Sequence, residues 1–271
     1  HHGVASIRQR VLREAQIGVH LDHPNLVRTV DAGVTGDDVH VVTEYLPGKD
    51  LEALAHTLAR SRRPFPAGVA ARILVEVLRG LEAAHAARDA SGRSLGLVHR
   101  DLSPRNVQLG FDGRVAVIDF GLASARIGHL HTEPGTVLGT HRYMSPEQAI
   151  GEPLDLRSDL FTVGTVAYEL FTGTWLYDEP SKEAILRAIT QTEIPLASAR
   201  NPALPKALDG VLARARAYAR EERFESAGAF RAALEAAVPT WCATPLAHLR
   251  ALLADTFPHE ERRARERVVL A

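Results

Sequence analysis

The sequence predicts an α+β fold in two unequal lobes, the smaller built from one helix and a strand pair and the larger mostly helical. Three observations carry this expectation. β-branched runs and one helical stripe share the first 45 residues, whereas helical periodicity dominates from Pro47-Gly48 onward. At 271 residues, 45% of them hydrophobic, the chain has ample apolar material for a packed core.

Each element follows from its residues. Ile7, Val11, Leu12, Ala15 and Val19, with Arg8, Arg10, Arg13 and Glu14 between them, predict an amphipathic helix over 5–20, stopped by His23-Pro24-Asn25. Val27–Val34 and Val39–Glu44 flank Thr35-Gly36-Asp37-Asp38 and predict a hairpin. Ile73, Leu74, Val77, Leu78, Leu81 and Ala84 then recur at helical spacing, giving a long helix from about Pro66 to Arg88. Short strands at Val107–Leu109 and Val115–Ile118, joined by Asp112-Gly113, interrupt the helices, which resume near 159–172, 182–191, 206–219 and 226–236. From Pro239 a short amphipathic segment around Leu246–Leu253 precedes EERRARER at 260–267, read as a solvated, salt-bridged helix face leading into a linker. The expected divisions are a small lobe over 1–45, a large lobe over 46–236, and a helical tail or linker over 237–271. No internal repeat is visible.

Composition removes several function classes. Lys plus Arg at 32 against Asp plus Glu at 33 leaves a net charge of −1, so no overall field favours nucleic acid or an anionic membrane. Cys242 is the single cysteine, which excludes an internal disulfide and a zinc ribbon and fits a reducing compartment. The longest apolar stretch, Leu160–Phe171, is interrupted by Thr162, Thr165 and Glu169 and falls short of the ~20 residues of a membrane span. The chain opens with His1-His2 rather than Met, without a signal or transit pattern, and reads as cut from something longer. A cytoplasmic location is expected, as a free domain or as the cytoplasmic part of a longer, membrane-anchored protein. The pairs His20/His23 and His129/His131 lack further ligands close by, and the Pro64–Pro66 segment reads as a loop.

His99, Arg100, Asp101, Leu102 and Asn106 spell HRDLxxxN, and Asp119-Phe120-Gly121 follows directly after a predicted strand. With GTHRYMSPEQ at 139–148 and RSDLFTVG at 157–164, the sequence resembles a eukaryotic-type (Hanks-type) bacterial Ser/Thr protein kinase catalytic domain over roughly residues 5–236. The resemblance implies a protein-kinase-like two-lobe fold, a role in signalling, ATP and Mg²⁺ as cofactors, and protein substrates bearing Ser or Thr hydroxyls; self-phosphorylation and dimerisation stay open. Phosphoryl transfer asks the protein to orient a hydroxyl, hold divalent ions and neutralise charge on the moving phosphate. By resemblance, Asp101 accepts or orients the hydroxyl proton, Asn106 holds one Mg²⁺, and Asp119 chelates the Mg²⁺ bridging the phosphates.

The resemblance assigns further residues. Arg100 meets a phosphorylated residue of the following loop, for which Thr132 and Thr136 are the candidate acceptors, although both also read as plain solvated threonines. Thr140 helps seat the substrate hydroxyl. Glu147 and Arg223 look like an ion pair tying that loop to a late helix, and Asp159 like the anchor of the catalytic-loop backbone. On the nucleotide side Thr43 lines the back of the pocket, and the backbone of Glu44 and Leu46 faces the adenine edge. Asp50 matches a ribose-contacting acid and equally the cap of a helix from Leu51. Gln108 lies under the adenine, and Glu14 matches the helix glutamate that pairs with a strand lysine.

The sequence also departs from the family pattern. The Gly-rich phosphate loop and the strand lysine would lie upstream of Glu14; the first lysine is Lys49, and residues 1–13 contain one glycine, Gly3. Without that lysine an electrostatically catalysed step slows by orders of magnitude, so this segment alone is expected to be nearly inactive. Ser103 replaces a lysine after the catalytic aspartate, Gln108 an apolar residue, and Gly18 a bulky one. With only Lys49, Lys182 and Lys206 among 32 basic residues, drift toward arginine explains part of this. The competing readings are a pseudokinase or kinase-fold binding module with little or no catalysis, and a small-molecule phosphotransferase of related fold.

Overall fold

The computed structural model describes residues 21–35, 38–89, 91–120, 138–191 and 193–269; the helix expected over 5–20, with Glu14 and Gly18, lies outside them. The hairpin forms as β1 (Thr29–Thr35) and β2 (Asp38–Thr43), antiparallel, with one extra residue on β1 between Thr29 and Asp31. A second antiparallel sheet has the order β3 (Gly48–Asp50), β4 (Val107–Gly110), β5 (Val115–Val117). The strand β3 was not expected from the sequence. Gly-Lys-Asp has little strand propensity, and its pairing depends on a partner sixty residues away: a Cβ at Gly48 would overlap the Leu109 carbonyl oxygen.

The helical body begins with α1 (Leu51–Arg60), started by Asp50, whose carboxylate accepts the Ala53 N–H at 2.7 Å. Next comes α2 (Ala67–His85), then α3 (Pro146–Ile150) and α4 (Leu156–Thr172). The apolar run too short for a membrane is α4, buried on nearly every side and packed against α2 and against α7 (Ala207–Ala215). Between these lie α5 (Lys182–Gln191) and α6 (Ala197–Arg200), and after them α8 (Ala227–Ala237). The helix expected over 206–219 stops at Ala215, because the backbone beyond must turn its Ala217 and Tyr218 carbonyls toward the Arg223 guanidinium.

The segment from 237, left open between tail and linker, is helical, and its first part is no linker. α9 (Pro239–Cys242) and α10 (Leu246–Thr256) bury Cys242, Leu249, Leu252 and Leu253 in the same core as α2. The last helix, α11 (Pro258–Val269), returns to the body through a Lys49–Glu260 ion pair at 3.1 Å and carries an Arg265–Glu261 pair on its own surface.

The hairpin segment is joined to the body at Asn25 and Leu26. Val117 donates its N–H to the Asn25 carbonyl and accepts from Val27 N–H, both at 2.9 Å. The Asn25 side-chain amide donates to Glu76 of α2 and to the Val115 carbonyl. Glu76, almost fully buried, is held in turn by Arg72 and Arg79. This packing requires a bare backbone at Gly80, where a Cβ would stand 2.6 Å from the Asn25 carbonyl oxygen. Gly80→Ala is therefore expected to destabilise the fold by about 1–3 kcal/mol despite the better helix propensity of alanine, read as a lower urea midpoint.

Candidate active site

The loop carrying HRDLxxxN is hung from one carboxylate. Asp159, in the first turn of α4 and 1% exposed, accepts the backbone N–H of His99 at 2.8 Å and of Arg100 at 3.0 Å. The His85 Nε2 at the end of α2 donates to the same carboxylate at 2.9 Å. Arg100 has φ 68, a left-handed conformation that costs a non-glycine residue about 1–2 kcal/mol; the Asp159 bonds to its own N–H and to that of His99 hold that strain in place. The buried His99 ring donates from Nε2 to the Ile118 carbonyl at 2.9 Å and stands edge-on to Phe120, which locks this loop to the Asp119-Phe120 segment.

Asp101, Asn106 and Asp119 are gathered by this arrangement. The Asn106 side chain donates from Nδ2 to the Asp101 carbonyl at 2.6 Å, leaving its Oδ1 as the remaining acceptor. The Asn106 carbonyl receives the Ile118 N–H at 3.0 Å, which sets Asp119 one residue beyond; Asp119 is itself left-handed at φ 59. A carboxylate and an amide oxygen are hard donors suited to Mg²⁺, so the residues present fit that ion. Among the described residues no group of three or more His, Cys, Asp or Glu side chains has metal-holding geometry. Ser103 is buried, with its carbonyl accepting the Asn106 N–H.

On the proposed nucleotide side, Gln108 donates from Nε2 to the Leu46 carbonyl at 3.2 Å, tying β4 to the strand–helix connection. Asp50 sits opposite Gln108 in the sheet while capping α1. The Glu44 carboxylate is occupied on its own side by Arg114 at 2.7 Å and by the Arg28 N–H; the Arg114 bond foremost, against the opposing effect of burial, holds it below the ordinary carboxylate range. Thr43 ends β2 and is exposed.

A second anchor lies after residue 138. Glu147 and Arg223 make a two-pronged buried pair, Nη1–Oε1 2.7 Å and Nη2–Oε2 2.8 Å, and Ser158 Oγ donates to Glu147 at 2.5 Å. Burial pushes the Glu147 carboxyl up, but the bonds from Arg223 and Ser158 and the guanidinium charge prevail and leave it below its usual value. Gln148 completes a capping box with Ser145 and donates from Nε2 to the Arg100 carbonyl, so α3 grips the HRDLxxxN loop directly. Thr132 and Thr136 lie outside the described residues; Thr140 is in a turn of 3-10 helix, Leu138–Tyr143, with its side chain outside them.

Sequence reasoning passed over His85, Gln148, His141, Tyr143 and Glu169. His141 is buried, which lowers its basicity, as does Lys182, while the charge of Asp101 opposes this. Beside Pro104 and Arg105 of the loop opens a cleft of about 830 Å³, where the Arg142 guanidinium lies over the Trp175 ring at 4.2 Å. Glu169 on its wall accepts from Tyr143 Oη at 2.9 Å and from the Leu176 N–H at 3.2 Å. Burial, outweighing those bonds and the nearby Arg142, pushes its carboxyl up to about 7.

The family model described as "Protein kinase domain" matches residues 2–228. A serine/threonine-protein kinase, PksC, of Streptomyces coelicolor is 38% identical over 234 residues, covering 83% of this chain and 40% of that protein. A tyrosine-protein kinase, MasK, of Myxococcus xanthus is 36% identical over 222 residues, covering 82% and 34%. The crystal structure of the PknI kinase domain of Mycobacterium tuberculosis superposes with a TM-score of 0.66 at 28% identity, covering 87% of this chain and 80% of that one. The chain thus spans between a third and two fifths of the length of these curated relatives.

Two outcomes are expected from the site. Arg223→Met strands a buried carboxylate and is expected to cost about 3–5 kcal/mol in urea unfolding, much of it recovered in the double variant Glu147→Leu/Arg223→Met. The two glutamates bias stability with opposite pH dependence. Glu147, lowered on folding, contributes stability that is present above its unfolded value of 4.5 and lost as pH falls through its folded value. Glu169, raised to about 7, binds its proton more tightly when folded, so its contribution is lost as pH rises from about 4.5 to about 7. Glu169→Gln is expected to flatten that loss in thermal melts recorded across the same interval.

Proposed function

The chain belongs to the protein kinase family, and from the site that it builds we propose that it transfers the γ-phosphate of ATP to Ser or Thr hydroxyls of protein substrates. The observation that carries this is the hydrogen-bonded turn that groups Asp101, Asn106 and Asp119 under the Asp159 carboxylate. Three oxygen-bearing side chains held on short, cross-linked backbone are what a positioning and electrostatic mechanism requires.

In this reading the substrate hydroxyl oxygen attacks the γ-phosphorus, its proton passes to the Asp101 carboxylate, and ADP leaves with the electron pair of the broken P–O bond. Asn106 holds the Asp101 backbone and, with Asp119, supplies oxygen ligands for Mg²⁺. The ion, when bound, neutralises charge on the phosphates. Arg100, displayed from its left-handed backbone, is the receptor for a phosphorylated Thr132 or Thr136, and Thr140 seats the acceptor hydroxyl. Leu46, Glu44, Thr43, Asp50 and Gln108 border the adenosine, with Glu14 on the phosphate side. Residues 46–236 form the large lobe and 1–45 belong to the small one. The choice of Ser and Thr follows the relatives of that name; MasK is named for tyrosine.

The test is transfer from labelled ATP by the full-length gene product, to itself and to a generic basic protein. Wild type is expected to yield phosphoserine and phosphothreonine, with Thr132 or Thr136 labelled, and Asp101→Asn to lower the rate about 10²–10⁴-fold. Phosphotyrosine as the main product, or labelling that survives Asp101→Asn, would overturn the reading.

A further inference from the structure

Away from the catalytic loop, α4, α5 and the turn after α7 border a half-open cavity of about 450 Å³, within the size range of small-molecule sites. Its walls are Phe161, Tyr177, Ile189 and Ile194, and the exposed Leu196 and Tyr218 stand at its mouth. One charged side chain lines it from inside. Arg216 is 6% exposed; its Nε donates to the Leu212 carbonyl at 3.0 Å and its Cζ lies 4.4 Å over the Tyr168 ring. Nη1 is shut off from solvent and has no hydrogen-bond partner, and among the described residues no carboxylate pairs with this arginine.

A buried, unpaired guanidinium costs several kcal/mol, which a stacked ring offsets by ~2 kcal/mol at most. A leucine or methionine would fill the same volume at no such cost. Gly164, in the middle of α4, lets this stretch approach closely: a Cβ there would stand 2.8 Å from both Ala215 Cβ and Arg216 Cγ. Burial draws the guanidinium down to about 10, with no carboxylate among the opposing influences.

We propose that this cavity binds a small amphipathic monocarboxylate, its apolar body between Phe161, Tyr177 and Ile189 and its carboxylate on Arg216. A single buried cation balances one negative charge. Glu193 at the same cavity disfavours a dianion such as a phosphate monoester, and the aromatic walls disfavour a small hydrophilic acid. The site is separate from the catalytic loop and is independent of whether the protein transfers phosphate.

The experiment is calorimetric titration of the protein with octanoate, indole-3-acetate, octanamide and phenyl phosphate. At least one carboxylate is expected to bind, with octanamide and phenyl phosphate at least ten-fold weaker. Arg216→Met is expected to lose that binding while remaining folded and no less stable without ligand. Leu196→Glu, a change at an exposed rim position, is expected to weaken carboxylate binding in a chain whose folding it does not touch. The proposal is overturned if neither carboxylate binds, if octanamide or phenyl phosphate binds as tightly, or if binding is unchanged in Arg216→Met or Leu196→Glu.

Discussion

The geometry of the candidate site rests on the Asp159 carboxylate. It is fully buried in the first turn of α4, where it accepts two consecutive backbone N–H groups and an imidazole N–H. A buried carboxylate left without such donors would cost several kcal/mol, so the loop and the helix are not independent: each satisfies the other. The consequence reaches the chemistry through backbone. With His99 and Arg100 pinned, Asp101 must follow at a fixed angle, Asn106 closes back onto Asp101, and Ile118 closes onto Asn106. The backbone course at Asp101 and Asp119 is thus tied, through these bonds, to a helix outside the loop.

Buried charge recurs around this hub, and its treatment separates structure from binding. Glu76 is shared by Arg72, Arg79 and Asn25; Glu147 is filled by Arg223 and Ser158. Arg223 spends further donors on the Ala217, Tyr218 and Arg157 carbonyls, so both of its faces are satisfied. Arg216, seven residues earlier, differs in its partners: it donates from Nε to the Leu212 carbonyl and, among the described residues, pairs with no carboxylate. The same stretch therefore supplies one arginine whose bonds close a structural joint and another buried without a carboxylate partner among the described residues.

Much of the fold was legible because its signals are local. The hairpin turn, the α2 stripe and the strand pair around Asp112-Gly113 each depend on residues a few positions apart. HRDLxxxN and the following Asp119 could likewise be read from contiguous residues. What escaped depends on distant partners. β3 exists through Leu109; α7 ends early because of Arg223; His85 meets Asp159 across 74 positions; Gln148 reaches the Arg100 carbonyl across 48. The packing of the segment after 237 was hidden for the same reason, since the sparse apolar residues of α10 look marginal until the Arg63–Asp255 pair and the α2 surface are in place. Left-handed backbone at Arg100 has no sequence signature, because arginine, unlike glycine, asparagine or the aspartate at 119, rarely adopts it.

Gln108 shows how a departure from the expected pattern can be absorbed. An amide in place of an apolar side chain on β4 would carry a desolvation cost were it left without a partner. Its Nε2 instead donates to the Leu46 carbonyl, beside a β3–β4 pairing that already places Asp50 opposite it. A carbonyl oxygen has two lone pairs, so Leu46 retains one acceptor direction after this bond. The substitution therefore stiffens the connection between the hairpin and α1 without closing it to a further donor. Ser103 is absorbed differently: it is buried and its backbone serves the turn, so the charge that a lysine would bring there is not restored at that position. The two departures bear on different parts of the site, the first on how the connection is braced and the second on how much positive charge the loop carries.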